Sequence, residues 1–167
     1  NNAGKKWIVA NDEQGGADIG VGVDASYPDG QLNGNDRRPD NRVAVRNEVL
    51  WGTLMAGGAG VEYYYGYQTG CSDLDCQDHR TRETKWQDAK IALDFFNTYL
   101  SNNLVNMVSN DGLTSNSQDY VFAEENEIYT IYRPSGGNSS INLGNNNNFY
   151  EIKWFNPRTG GNLQDGT

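Results

Sequence analysis

Asp12 and Glu13 close a short apolar run, Lys6 to Asn11 (KWIVAN), and are followed at once by Gln14, Gly15 and Gly16. Such a run, bounded by polar residues, reads as a buried parallel strand. Carboxylates at the C-terminal end of a strand, next to glycines that let the chain turn sharply, sit where α/β barrels place their chemistry. A second cluster lies at Glu62, Tyr63, Tyr64, Tyr65 and Tyr67, on a candidate strand Val61 to Tyr67. Alternation along a strand sends Glu62 and Tyr64 to one side and Tyr63 and Tyr65 to the other, and either set could serve as a substrate platform or as core. His79, the one histidine, follows that strand within a loop and is eligible for substrate contact or for a structural role. Cys71 and Cys76 in GCSDLDC can close a small disulfide loop, as expected of a secreted protein, or remain free thiols. Asp73, Asp75 and Asp78 lack the fixed spacing of a known calcium loop, and one histidine with one cysteine pair does not make a zinc site, so no metal or cofactor is expected.

The elements that must position these residues succeed one another as strand, helix, strand, helix. About twenty-five residues rich in Gly, Asp and Asn (Gly16 to Asn41) separate the first strand from a helix that Asp40 or Asn41 can cap. Val45, Val49, Gly52 and Ala56 share one helical face, Leu50 and Leu54 widen it, and Trp51 is expected in the core. Gly57, Gly58, Ala59 and Gly60 stop the helix. These glycines follow a helix and precede a strand, the reverse of a phosphate-cradling turn, which excludes dinucleotide binding. After the cysteine loop, Asp78 can cap a helix from His79 to Leu100. Trp86, Ala89, Leu93, Phe96 and Leu100 form its expected apolar stripe, with Arg80, Arg82, Lys85 and Asp88 among its polar positions. Beyond a polar stretch, Ser101 to Asp119, the period changes to short strands at Val121 to Glu124, Glu127 to Arg133, Ser139 to Leu143 and Phe149 to Phe155. Both faces of the second are apolar, which places it centrally in a sandwich. Tyr150 and Trp154 are candidate sugar or protein contacts, or packing residues.

The balance of 13 basic against 22 acidic residues, a net charge of −9, excludes a phosphate-tracking nucleic-acid binder and an anionic membrane surface as partners. No run approaches the length of a membrane span. Two strands and two helices of α/β type do not bury themselves, so the remainder of the sheet is expected from the same polypeptide or a second chain.

KWIVANDEQGG, RNEVLWGTLMAGGAGVEYYYGY, DLDCQDHRTRETKWQDAKIALDFF, IYTIYRPSGG and YEIKWFNPRTGG together resemble the C-terminal part of a bacterial glycoside-hydrolase-like family, similar to the apiosidase-like glycosidases. That family joins a (β/α)8 barrel to a C-terminal β-sandwich often labelled collagen-binding. The resemblance implies an α/β plus all-β chain: residues 1–104 as the last two βα units of a (β/α)8 TIM barrel, and 105–167 as an antiparallel β-sandwich, incomplete at both ends. It implies a secreted or periplasmic glycosidase cleaving a polysaccharide or oligosaccharide, with Glu13 as nucleophile. Retention requires two carboxyl groups about 5 to 5.5 Å apart, and the acid partner would lie on a fourth barrel strand outside this segment. Asp12, Glu62, Tyr64, Tyr65, Tyr67 and His79 are the expected carbohydrate contacts. The alternative is a non-catalytic module that binds carbohydrate or protein.

Overall fold

A computed structural model describes residues 8–13, 20–26, 41–67, 78–145 and 147–166. The chain divides into two compact units, Asn1–Leu54 with Gly58–Ala89, and Met55–Gly57 with Lys90–Thr167.

In the first unit, β1 (Ala10–Asn11) and β2 (Gly60–Val61) pair in parallel, Ala10 opposite Gly60 and Asn11 opposite Val61. Backbone bonds at either end extend the pairing, from Ala59 N–H to the Val9 carbonyl (2.7 Å) and from Glu62 N–H to the Asn11 carbonyl (2.8 Å). Between the strands runs helix α1, beginning as Arg42–Ala44, continuing as a π-type stretch Val45–Trp51 and ending as Gly52–Met55. Wide i→i+5 turns of this kind are ordinarily brief insertions in α-helices; here Gly52 N–H reaches back to the Asn47 carbonyl. Val45, Leu50, Trp51 and Leu54 are buried, as the helical spacing and the core placement of Trp51 anticipate, while Ala56 is exposed. Asn41 precedes the helix without capping it. Its carboxamide accepts from Gly22 N–H (2.9 Å) and donates to the Gly20 carbonyl (2.8 Å), pinning a segment of the polar stretch.

The pinned segment redirects the chain after β2. Val21 N–H donates to the Tyr64 carbonyl at 2.6 Å, and fully buried Val21 joins Val45, Tyr63 and Tyr65 in the first unit's core. Gly20 must be glycine: its φ is +54°, and a Cβ there would stand 2.3 Å from the Tyr64 carbonyl oxygen.

Helix α2 opens with a 3₁₀ turn His79–Arg82, continues as Glu83–Phe95 and ends in a π-type stretch Phe96–Leu100. Asp78 caps it as expected, accepting from Arg80 N–H at 3.0 Å. Its buried face differs from the expected stripe. Arg82, Lys85, Asp88 and Ala92, at helical spacing, are at most 1 % exposed, while Trp86 and Leu93 are 39 % and 50 % exposed. Phe96 and Leu100 are buried. The polar line can be the inner one because its charges are paired there, Lys85 with Asp24 and Asp88 with Arg42.

The second unit holds a three-stranded antiparallel sheet, β3 (Val108–Ser109), β4 (Tyr120–Glu124) and β5 (Ile128–Tyr132), in that order. Tyr120 lies opposite Tyr132 and Glu124 opposite Ile128. β4 is therefore central, with Val121, Phe122 and Ala123 buried, and β5 is an edge strand. A 3₁₀ turn, Asp111–Leu113, follows β3, and the Asp111 carboxylate accepts from Val121 N–H at 2.7 Å. Of the expected strand Ser139 to Leu143 only a bridge between Thr114 and Ile141 forms. A hairpin, β6 (Lys153–Trp154) with β7 (Gln164–Asp165), completes the unit. Phe95 packs on Phe155 with ring centroids 4.7 Å apart.

The architecture is thus a small mixed α/β arrangement of two helices and small sheets, which corrects the expected barrel and sandwich. Among the described residues no further strand joins the two-residue parallel pair, whereas a barrel closes eight tilted strands. The aromatic segment after Val61 leaves the ladder because its Tyr64 carbonyl is taken by Val21 and Gly66 turns with φ +75°. Among the described residues three strands and a separate hairpin likewise do not make the two facing sheets of a sandwich. Among the described residues no helix is long and apolar enough to cross a membrane.

Candidate functional site

The parallel pairing brings three expected site carboxylates to one end of the strands. Asp12 and Glu13 follow β1, Glu62 follows β2, and all three are exposed. The tyrosines differ in exposure, and parity alone does not sort them, since Tyr67 shares the parity of Tyr63 and Tyr65. Tyr63 and Tyr65 are buried, Tyr64 is half-buried and Tyr67 is 52 % exposed. Burial, and then the nearby Asp88 charge, push the Tyr63 phenol well above the usual tyrosine range, so it stays a neutral hydroxyl. Tyr65 and His79 meet, with the Tyr65 hydroxyl 3.2 Å from Nδ1 of the exposed imidazole. The Arg82 guanidinium lies 4.1 Å over the Tyr65 ring, covering one of its faces. Cys71 and Cys76 lie outside the described residues, as do Asp73 and Asp75. Among the described residues no group of three or more His, Cys, Asp or Glu is placed to hold a metal ion.

Beneath this surface is a buried polar cluster. Asp24, 5 % exposed, accepts from Lys85 Nζ (2.7 Å), from the Thr84 hydroxyl (2.6 Å) and from Thr84 N–H (2.7 Å). Asp88 takes a bidentate pair of bonds from Arg42, at 2.8 and 2.7 Å, with Arg46 3.7 Å away. Arg82 donates to the Val21 carbonyl (3.0 Å) and to the Thr81 hydroxyl (2.9 Å). Trp86 donates its indole N–H to the His79 carbonyl (3.1 Å) and packs on Tyr63 at 5.0 Å between centroids. Two members reach the expected site residues: Arg82 stacks on Tyr65, and the Trp86 indole binds the His79 carbonyl. Sequence reasoning missed Asp24, Arg82, Lys85 and Trp86 as members; the one signal was the i, i+3, i+6 line of Arg82, Lys85 and Asp88.

The second unit carries a different kind of surface. Phe149, Ile152 and Trp154 fall within six residues, and each keeps more than half of its area in solvent. Trp154 stands on the β6–β7 hairpin, which Lys153 clamps by pairing with Asp165 at 2.5 Å. That bond, and then the attraction between the charges, hold the Asp165 carboxyl below its usual range and the Lys153 amine above its own. Tyr150 packs edge-on against Tyr129 at 5.6 Å. Exposed aromatic and aliphatic side chains so close together in sequence are common material of a contact surface.

Residues 105–167 match a family model described as "Putative collagen-binding domain of a collagenase". No curated protein and no solved structure matches the chain. The matched residues contain β3 to β7 and with them Phe149, Tyr150, Ile152 and Trp154. The collagen-binding match therefore covers the exposed apolar residues and leaves Asp12, Glu13, Glu62, Tyr64, Tyr65, Tyr67 and His79 outside it.

Proposed function

We propose that residues 105–167 act as a non-catalytic binding module directed at a protein polymer, collagen being the partner that the family description names. The observation that carries this is the exposed group Phe149, Ile152 and Trp154 inside the matched residues. Leaving the Phe149 ring wholly in water forgoes roughly 1.5–3 kcal/mol that a partner would recover by burying it, and the exposed half of Trp154 adds a smaller share. Aromatic side chains are also the residues that most often dominate a binding interface. Collagen chains are extended, with prolyl rings outward and no hydrogen bonds within a chain, and so offer apolar rings to flat aromatic faces. The acidic balance of the chain favours a neutral or basic protein over an anionic polysaccharide. A partner of this kind is extracellular, which fits a secreted or periplasmic protein. Co-sedimentation of the full chain with fibrillar collagen, compared with insoluble neutral polysaccharide, tests the proposal: retention by collagen supports it, and retention by polysaccharide alone overturns it.

Hydrolysis of a glycosidic bond with Glu13 as nucleophile is a second reading. Its support is the gathering of Asp12, Glu13 and Glu62 at one end of the parallel pair, since two carboxyl groups across a scissile bond are the minimum such chemistry needs.

A further inference from the structure

The β4–β5 turn and the asparagine-rich run before β6 frame a shallow, open depression of about 450 Å³, lined by Asn126, Glu127, Asn147, Asn148, Phe149 and Tyr150. Its frame is tied down. Asn126 sits in the left-handed region at φ +71°, and its N–H donates to the Tyr129 hydroxyl at 2.9 Å. Asn148 donates its carboxamide to the Asn126 carbonyl at 3.1 Å, fastening the asparagine run to the turn. Tyr150 is held edge-on by Tyr129. Beside these fixed groups the Phe149 ring stands wholly in solvent, at 102 % of its reference area.

We propose that this depression is a contact site for a triple-helical, imino-acid-rich peptide, and that it reads the triple-helical conformation; this rests on the binding-module proposal above. A polyproline-type chain makes no internal hydrogen bonds, so its carbonyls are available acceptors for carboxamide N–H groups such as those of Asn147. Its prolyl rings pack on aromatic faces, the mode by which aromatic-lined grooves recognise such segments. Here Phe149 and Tyr150 supply the faces. A single polyproline chain is gripped in a groove, whereas three wound chains make a thicker rod. An open depression with a projecting ring suits the rod. Glu127 is the one ionisable side chain with a formal charge at neutral pH in the lining, which leaves the site hospitable to a neutral ligand.

The test uses the full chain and two immobilised peptides: a triple-helical one of repeated Gly-Pro-Hyp triplets, and an oligoproline that forms the same backbone as a single chain. Because Phe149 is fully exposed, Phe149→Ala removes the proposed contact without a core penalty. The triple-helical peptide is expected to bind, the oligoproline to bind much more weakly, and Phe149→Ala to weaken triple-helix binding about tenfold, equal to about 1.4 kcal/mol. Equal binding of the two peptides, or unchanged affinity in Phe149→Ala, overturns the site. In that event wild-type retention on fibrillar collagen would leave the module proposal standing, whereas no retention on collagen in any form would overturn both.

Discussion

Replacing Asp24 by Asn should destabilise the first unit severely, for a reason visible in one contact. Lys85 is 0 % exposed, and its ammonium donates at 2.7 Å to an Asp24 carboxylate that is itself nearly enclosed. Removing one partner of a buried ion pair takes away compensation from the other buried charge, at a cost of about 3–5 kcal/mol. The Asn side chain keeps the volume and one carbonyl oxygen. It also turns an N–H₂ toward a donor, either the Thr84 hydroxyl or the Thr84 amide, adding about 1 kcal/mol for a lost bond. Against a typical domain stability of about 5–15 kcal/mol this is a large share. Urea unfolding followed by tryptophan fluorescence, with Trp51 and Trp86 as first-unit reporters, measures it. The decisive comparison is a cycle with Lys85→Met. The double variant removes both charges of the pair and should recover about 2 kcal/mol relative to Asp24→Asn alone. A cost below about 1 kcal/mol for Asp24→Asn, or no recovery in the double variant, would refute the claim that charge pairing turns the polar line of α2 inward.

The Lys153–Asp165 clamp predicts a titration. Asp165 is held below the usual carboxylate range, so its contribution is complete above that range and is lost as pH falls through the depressed value; Lys153 contributes below the usual lysine range and loses its part as pH rises through the raised one. Both groups are exposed, so salt screens the effect. NMR titration of the Asp165 carboxyl should give a value that returns to the ordinary range in Lys153→Met, and an unchanged value in that variant would contradict the clamp. For the hydrolytic reading, Glu13→Gln in a preparation that releases sugar should abolish release, and full retention of activity would exclude Glu13 as nucleophile.

Local signals in the sequence reached some of the structure. The helical spacing of α1 and the Asp78 cap of α2 are determined within a turn or two of chain, and both appear. The parallel pairing of Ala10–Asn11 with Gly60–Val61 was legible as strand, helix, strand, although among the described residues its ladder spans two residues per strand and the run expected to be buried leaves Ile8 and Val9 exposed. Long-range partners were not legible. Asp24 stands in a stretch that reads as polar loop, yet its contacts with Thr84 and Lys85 span about sixty residues and invert the expected stripe of α2, leaving Trp86 and Leu93 half in water. Likewise Val21 takes the Tyr64 carbonyl that a continued ladder would have used, so the aromatic strand stops after Val61. Aromatic content alone did not separate Tyr65, capped by Arg82, from Tyr67, which remains exposed. In the second unit, alternation predicted a central position for residues 127–133. The edge location of β5 reflects that Ser139 to Leu143 contributes a bridge and not a strand.

Equilibrium binding of the full chain to immobilised fibrillar collagen, measured for the wild type and for Trp154→Ala, tests the central claim most directly. Trp154 is 54 % exposed on a clamped hairpin, and an unfolding curve of the variant separates any loss of packing from loss of the contact. Saturable binding by the wild type, weakened at least about tenfold in Trp154→Ala and insensitive to added neutral polysaccharide, is the predicted result. Absence of saturable binding to collagen, or binding that polysaccharide displaces in full, would contradict it.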